Sequence, residues 1–256
     1  MKPPRGQNFL YQPAWQRRVA EAVAPTPLPA LVEIGGGPGG LTRLLAPRAE
    51  RFWVIESDPR LAQGLRDQFG KQAGTTVTEA TVIEADVLSV DFTALAALAG
   101  GGRLQVAGNL PYYITSPILL HLFHHAAAIA GAVLMVQREV ADRMLAVPGG
   151  RAFGLLSATT QFYARPQRLF DLPPGAFQPP PQVHSTLLRL EFASQAAALG
   201  VETEPFMRFL RRAFAEKRKQ LGPRLGLAIT ARAEQLSLAQ LAAVYHQLHP
   251  TTGKTE

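Results

Sequence analysis

The stretch Glu33-Ile34-Gly35-Gly36-Gly37-Pro38-Gly39-Gly40 constrains the fold of this chain more than any other. It follows Leu31–Gly35, an apolar run that reads as a buried strand. It precedes Leu41–Ala46, where apolar residues fall at helical spacing. Glycine lets a backbone turn sharply and lie close to a ligand, and a helix N-terminus offers unpaired N–H groups. A strand, a glycine loop and a helix in that order belong at the carboxyl edge of a parallel sheet, where ligands bind.

The same alternation continues. Phe52–Glu56, Thr81–Asp86, Leu104–Asn109 and Ala132–Gln137 read as further strands, with Pro59–Phe69 and Ser116–His125 as helices between them. Such an order predicts an α/β fold, a Rossmann-like parallel sheet with helices on both faces. After Gln137 the pattern changes. Glu139–Ala146 and Phe153–Phe162 read as helices, Arg165–Leu172 and Val183–Phe192 as late strands, with a Pro-rich loop over 173–181. Ala, Ser and Gln then dominate 193–200, as in a linker. Pro205–Ala215, Lys217–Leu227 and Leu238–Leu248 read as three helices. The expected organisation is therefore a main domain over 1–192 and a small all-helical domain over 193–256.

Composition narrows the partners. Of 256 residues 47% are apolar and 18% charged, enough to bury a core, and the net charge of +7 favours a polyanion. Cysteine is absent, which removes disulfides, thiolate metal sites and cysteine nucleophiles. The first residues, Met1 to Gln7, lack the apolar core of a signal peptide, and the longest apolar run, 126–136, is far short of the ~20 residues of a spanning helix. A cytoplasmic protein with no membrane association is expected.

Gly35-x-Gly37-x-x-Gly40 is the spacing of a dinucleotide fingerprint, and Glu56 lies 21 residues after Gly35 at the end of the second strand. A carboxylate there accepts hydrogen bonds from ribose hydroxyls. The loop thus points to a nucleoside cofactor without choosing between a nicotinamide dinucleotide and S-adenosylmethionine. Glu33, just before the glycines, suits a cationic amino-acid end through its field. Asp86 closes the third strand, where it either accepts from a cofactor adenine or caps a short helix.

Asn109-Leu110-Pro111-Tyr112 ends the fourth strand. The exocyclic amine of adenine is a poor nucleophile because its lone pair is delocalised into the ring. Two acceptors, the Asn109 side-chain oxygen and the Leu110 carbonyl, can each take one N–H and turn the lone pair toward a methyl carbon. Pro111 has no N–H and biases Leu110 to an extended conformation, which holds that carbonyl in one direction. Tyr112 offers a flat face to a base taken out of its stack. In isolation the tetrapeptide is also a plain Asn-x-Pro turn.

These blocks, in this order, resemble the small-subunit (16S) ribosomal RNA adenine N6,N6-dimethyltransferases over nearly the whole chain. Gly6-Gln7-Asn8-Phe9-Leu10 is similar to that family's N-terminal segment, which closes over the cofactor. The glycine loop through Thr42, Glu56-x-Asp58, Asp86 and Asn109–Tyr112 follow. Gln137-Arg138-Glu139-Val140-Ala141-x-Arg143 and Phe177-x-Pro179-x-Pro181-x-Val183-x-Ser185 come next. The resemblance implies S-adenosylmethionine as cofactor, held by Asn8, Leu10, Gly35, Gly37, Glu56, Asp86 and Asn109. It implies catalysis by Asn109, Leu110, Pro111 and Tyr112, with Phe177 facing the target base opposite Tyr112. The family's product is a pair of adjacent dimethylated adenines near the RNA 3′ end. The implied partner is small-subunit RNA or the immature 30S particle, met by a monomer. Gly36, Pro38 and Gly40 depart from the family's usual loop, and Gln182 and His184 replace a more usual Lys and Asp.

Arg208, Arg211, Arg212, Lys217, Arg218, Lys219 and Arg224 face a single acid, Glu216, in the C-terminal third. Arg208, Arg211 and Arg212 share a helical face, so RNA phosphates are their expected partners and a solvated helix face the alternative. Lys2, Arg5, Arg17 and Arg18 extend the same expectation. His121, His124 and His125 fall at helical spacing with no carboxylate nearby in sequence, so no metal is expected. Two other readings share features with this one. An NAD-linked dehydrogenase shares the glycine loop and Glu56 but has no Tyr-x-x-x-Lys pair. A non-enzymatic RNA-binding assembly factor shares the fold but leaves the methyl-transfer residues without a use.

Overall fold

A computed structural model describes residues 8–70, 80–216 and 219–249. Within these residues the strands are β1 (Phe9–Leu10), β2 (Leu28–Ile34), β3 (Ala49–Glu56), β4 (Thr81–Glu84), β5 (Leu104–Asn109), β6 (Ile129–Gln137), β7 (Ala164–Leu172), β8 (Phe177–Gln178) and β9 (Ser185–Phe192). The helices up to β7 are α1 (Pro13–Val23), α2 (Thr42–Leu45), α3 (Pro59–Phe69), α4 (Phe92–Leu98), α5 (Thr115–His124), α6 (Arg138–Leu145) and α7 (Leu155–Tyr163). After β9 come α8 (Ala196–Leu199), α9 (Thr203–Phe214), α10 (Leu221–Leu225) and α11 (Leu238–Leu248).

Seven strands form one sheet in the order β4-β3-β2-β5-β6-β9-β7. Neighbours from β4 to β6 run parallel, and β9 joins β6 antiparallel. The strand order reverses between β2 and β5, the point at which open α/β sheets leave a crevice beyond the strand ends. Central strands covered on both faces must be apolar throughout, and Leu31, Val32, Val54, Val106, Ala107, Val133 and Leu134 are all buried. Val19, Ala20 and Val23 of α1, Leu45 of α2, and Leu65 and Phe69 of α3 share a core with Leu31, Val54, Ala107, Val133 and Leu187.

Local chemistry explains the best-defined boundaries. Asp58 accepts from the backbone N–H groups of Arg60 and Leu61 ahead of Pro59, which needs no donor at the first helical position, so α3 starts there. Asp91 caps α4 in the same way through Thr93 and Ala94.

By Cα proximity the chain forms two compact units, Met1–Ala141 with Gln167–Phe192, and Asp142–Pro166 with Ala193–Glu256. A split of the chain at 192/193 therefore leaves out residues 142–166, which group with the C-terminal helices. The reason is aromatic packing: Phe162 of α7 lies 5.5 Å from Phe206 of α9, and Phe153 lies 6.1 Å from Phe214. Lys217 and Arg218 fall outside the described residues. The helix expected over Lys217–Leu227 is shorter, five residues, ending at Gly226 in a left-handed conformation.

Candidate active site

One pocket opens where β2, β3 and β5 end, and the loops that follow them form its walls. Its lining includes Asn8, Phe9, Ile34, Gly35, Ile55, Glu56, Asp86, Val87, Leu88 and Ile118, together with the whole run Asn109–Ile114. The structure brings Asn8, Gly35, Glu56, Asp86 and Asn109–Tyr112, from five separate segments, onto one cavity.

The glycine loop turns because Gly35 and Gly37 take positive φ, 76° and 55°, a region closed to most side chains. The Gly35 N–H donates to the Ile55 carbonyl at 2.8 Å, which ties the loop to the end of β3. The Gly37 N–H donates to Glu56 Oε2 at 2.9 Å, and the Asp58 N–H donates to Glu56 Oε1 at 2.9 Å. Glu56 is buried and clamped between two backbone donors, with lone pairs left for a hydroxyl-bearing ligand. Asp86 takes the capping role and also lines the pocket. Its Oδ1 accepts from the Leu88 N–H at 2.9 Å and caps a short 3-10 turn, Val87–Ser89, while the side chain remains exposed on the pocket wall.

Asn109 ends β5, where its side chain meets the N-terminal segment. Its Nδ2 donates to the Asn8 carbonyl at 2.7 Å. With the amide nitrogen committed, Oδ1 is the remaining acceptor. Leu110 is anchored by its own N–H, which donates to the Met135 carbonyl at 3.1 Å, and by a side chain that is fully buried. The Pro111 carbonyl accepts from the Thr115 hydroxyl at 3.0 Å and from the Ile114 N–H at 3.2 Å, so the turn into α5 is closed twice. The Tyr112 hydroxyl pairs with Ser185 Oγ at 2.9 Å. Burial raises the Tyr112 pKa, an effect the Ser185 hydrogen bond opposes, so the phenol stays protonated at neutral pH.

Four expectations meet a different arrangement. Phe177 does not line the pocket: β8 pairs antiparallel with β1, Leu10 opposite Phe177, and the Phe177 ring is 4% exposed in the core beside Leu172 and Ala176. Leu10 is buried in the same core and does not line the pocket. Gly37 is also set back, because its N–H is spent on Glu56 and the Phe9 ring lies where a side chain at this position would stand. Glu33 is fully buried and accepts from the Thr42 hydroxyl at 2.7 Å. Burial above all, with a contribution from the nearby Glu56, pushes its carboxyl up to about 8, so at neutral pH it is protonated and exerts no field on a cation.

A comparison with known families decides the class. The family model described as ribosomal RNA adenine dimethylase matches residues 1–245. The chain belongs to that family. "Ribosomal RNA small subunit methyltransferase A" of Acidobacterium capsulatum is 50% identical, covering 96% of this chain and 91% of the relative. The protein of the same name from Koribacter versatilis is 40% identical, covering 95% and 93%. Among solved structures, a dimethyladenosine transferase from Plasmodium falciparum superposes with a TM-score of 0.75 at 20% identity, covering 93% of this chain and 97% of that one. The 23S rRNA methyltransferase ErmE superposes with a TM-score of 0.69 at 22% identity, covering 94% and 100%. These two likenesses carry the fold alone, a mostly parallel sheet with helices.

The residues of the pocket fit the cofactor of a dimethylase. Glu56 and Asp86 bring side-chain oxygens to the pocket, the kind of acceptor that ribose hydroxyls and an adenine amine require. Ile34, Ile55, Val87, Leu88 and Ile118 supply apolar walls for a purine. Sequence reasoning missed Ser185 as the partner of Tyr112, Phe9 as the cover of Gly37, and most of these apolar walls. Ser185 stood in a recognised block without a role, and isolated isoleucines carry no signal.

The remaining candidates lie elsewhere. Arg208, Arg211 and Arg212 are exposed on α9, opposite the buried Phe206, Met207, Phe209, Leu210, Ala213 and Phe214. Lys219 pairs with Glu216 at 2.6 Å. His121 Nε2 contacts the Val90 carbonyl at 2.8 Å, and His125 Nδ1 lies 3.6 Å from Asp91, a carboxylate not apparent from the sequence spacing. Among the described residues no group of three or more His, Cys, Asp or Glu is arranged to hold a metal ion, and no helix is long and apolar enough to cross a membrane.

Proposed function

We propose that this chain dimethylates the N6 amines of two adjacent adenines near the 3′ end of small-subunit ribosomal RNA. It does so as a monomer in the cytoplasm, on the immature 30S particle, as a step of small-subunit biogenesis. The observation that carries this reading is the hydrogen bond from Asn109 Nδ2 to the Asn8 carbonyl, which leaves Oδ1 as the acceptor of a residue that lines the pocket beside Leu110.

S-adenosylmethionine supplies a methyl carbon made electrophilic by its sulfonium. Asn8, Gly35, Glu56, Asp86 and Asn109 are the residues placed to hold it. Asn109 Oδ1 and the Leu110 carbonyl each accept one N–H of the target amine, which localises the nitrogen lone pair and stabilises the positive charge that develops on nitrogen. Pro111 and the doubly closed turn at Thr115 and Ile114 keep the Leu110 carbonyl in place. Tyr112, tethered through Ser185, gives the base a face to stack on. No general base is required, because the nitrogen becomes acidic once alkylated and its proton passes to water. Arg208, Arg211, Arg212 and Lys219 take RNA phosphates and set position without reading sequence.

The test is mass spectrometry of ribosomal RNA fragments after incubation of undermethylated 30S particles with the protein and S-adenosylmethionine. Two neighbouring dimethyladenosines in the 3′-terminal fragment are expected. Methyl groups confined to large-subunit RNA, or none on adenine, overturn the reading.

A further inference from the structure

Tyr112 and Tyr113 are the two central residues of one β-turn, closed by the Ile114 N–H on the Pro111 carbonyl at 3.2 Å. The turn sends their rings to different surroundings. Tyr112 is half-buried and tethered to Ser185, which is itself 1% exposed. Tyr113 also lines the pocket, yet it is 65% exposed and has no hydrogen bond among the described residues. A large aromatic ring bared to water at the lip of a pocket buries little apolar area in the fold. It is free to give that area to a ligand.

We propose that Tyr113 is the platform on which the nucleotide next to the target adenine stacks. The inference rests on the adenine-methylation reading above and concerns the neighbour rather than the target. Drawing one adenine out of an RNA stack costs a few kcal/mol and strips one face of its neighbour. A ring at the rim, one residue from the ring that receives the target, covers that face and offsets part of the cost. The substrate contains two adjacent adenines, so the base waiting outside is itself a purine, the class with the larger stacking surface. After the first adenine is dimethylated, the two bases exchange places between Tyr112 and Tyr113. Tyr113 therefore acts as a positioning and specificity residue for RNA that presents paired purines.

The test is a double-mutant cycle between the protein and the RNA. The RNA is a 3′-terminal small-subunit fragment assembled by ligation, with two adjacent adenines or with the second adenine replaced by an abasic residue. Binding is measured in S-adenosylhomocysteine, and KM in S-adenosylmethionine. On intact RNA, Tyr113→Ala raises Kd and KM on the order of tenfold, within the range found for base–aromatic stacking, while Tyr113→Phe keeps wild-type values. The abasic RNA costs the wild-type protein a similar factor, and Tyr113→Ala adds nothing further on it. Affinity for S-adenosylhomocysteine is unchanged in both variants. Equal losses for Tyr113→Ala on both RNAs, or no loss on intact RNA, overturn the proposal. If the wild-type protein binds with this coupling but transfers no methyl group, the methylation reading fails and the stacking role stands.

Discussion

The side-chain amide of Asn109 donates to the backbone carbonyl of Asn8 at 2.7 Å, across 101 residues of sequence. This contact commits the amide nitrogen to the N-terminal segment and leaves the oxygen as the acceptor end of the side chain. Asn109→Asp keeps the shape and adds an acceptor but loses the donor, and sets a carboxylate against the Asn8 carbonyl. Asn109→Ala loses the acceptor outright. Both variants are expected to lose on the order of 10²–10³ in kcat, the scale of removing one aligned transition-state partner. Both variants should also bind S-adenosylhomocysteine more weakly, because both lose the tie to Asn8. Single-turnover methylation and calorimetry check this, and near-wild-type turnover by Asn109→Asp rejects the assignment.

The Tyr112 hydroxyl and Ser185 Oγ, 2.9 Å apart, make a second pair whose two deletions differ in stability. Ser185 is 1% exposed, so Tyr112→Phe strands a buried hydroxyl and costs about 1–3 kcal/mol. Ser185→Ala leaves the phenol, which reaches the edge of the pocket, and costs less. In kcat the two variants are expected to fall by similar small factors and the double variant no further, because both cut one tether. Thermal unfolding beside steady-state kinetics reads both effects. Additive losses in kcat show that the hydroxyl acts independently of Ser185.

Much of this architecture was legible before any coordinates. Strand β5 and helix α3 fall on the residues the pattern marks, because a short, mostly apolar run and an Asp-Pro start are local signals. The five chain segments of the pocket were legible for the same reason, each ending a strand or a recognised block. What escaped is set by pairing at a distance. Strands β1 and β8 have two residues each, too short for any periodicity, yet their register turns Leu10 and Phe177 into the core. The partners of Asn109 and Tyr112 lie 101 and 73 residues away. The charge state of Glu33 depends on its burial in the folded chain, which no spacing reveals.

That buried carboxyl gives a pH dependence with a definite sign. The folded-state pKa of Glu33 is raised from 4.5 to about 8, chiefly by burial, so between these values the folded protein holds a proton that the unfolded chain has released. Its contribution to stability is complete below the unfolded pKa and is lost as pH rises through the folded one. Glu33→Gln keeps an oxygen for the Thr42 hydroxyl and has no proton to lose. Wild-type stability is expected to decline relative to Glu33→Gln from about pH 5 to about pH 8 and to run parallel above that. Denaturant melts of the two proteins across this range supply the comparison. Parallel curves throughout would mean that Glu33 is ionised in the folded protein.

The basic face of α9 makes a prediction in salt rather than in pH. Arg208, Arg211 and Arg212 are exposed while the opposite face of the helix is buried, so replacing them with glutamine should leave the fold intact. Each arginine that meets a phosphate releases counterions on binding, and losing one lowers the slope of log Kd against log salt by about one on a duplex. The triple variant is expected to weaken binding about equally for intact and abasic RNA, because phosphate contacts carry no base information. Lys219 provides the internal control. Its ammonium pairs with Glu216 at 2.6 Å, so it brings less net charge to a phosphate, and Lys219→Gln should move the slope less than Arg208→Gln does. A slope unchanged in the triple variant would leave α9 as a solvated helix face and send the search for the RNA contacts elsewhere on the chain.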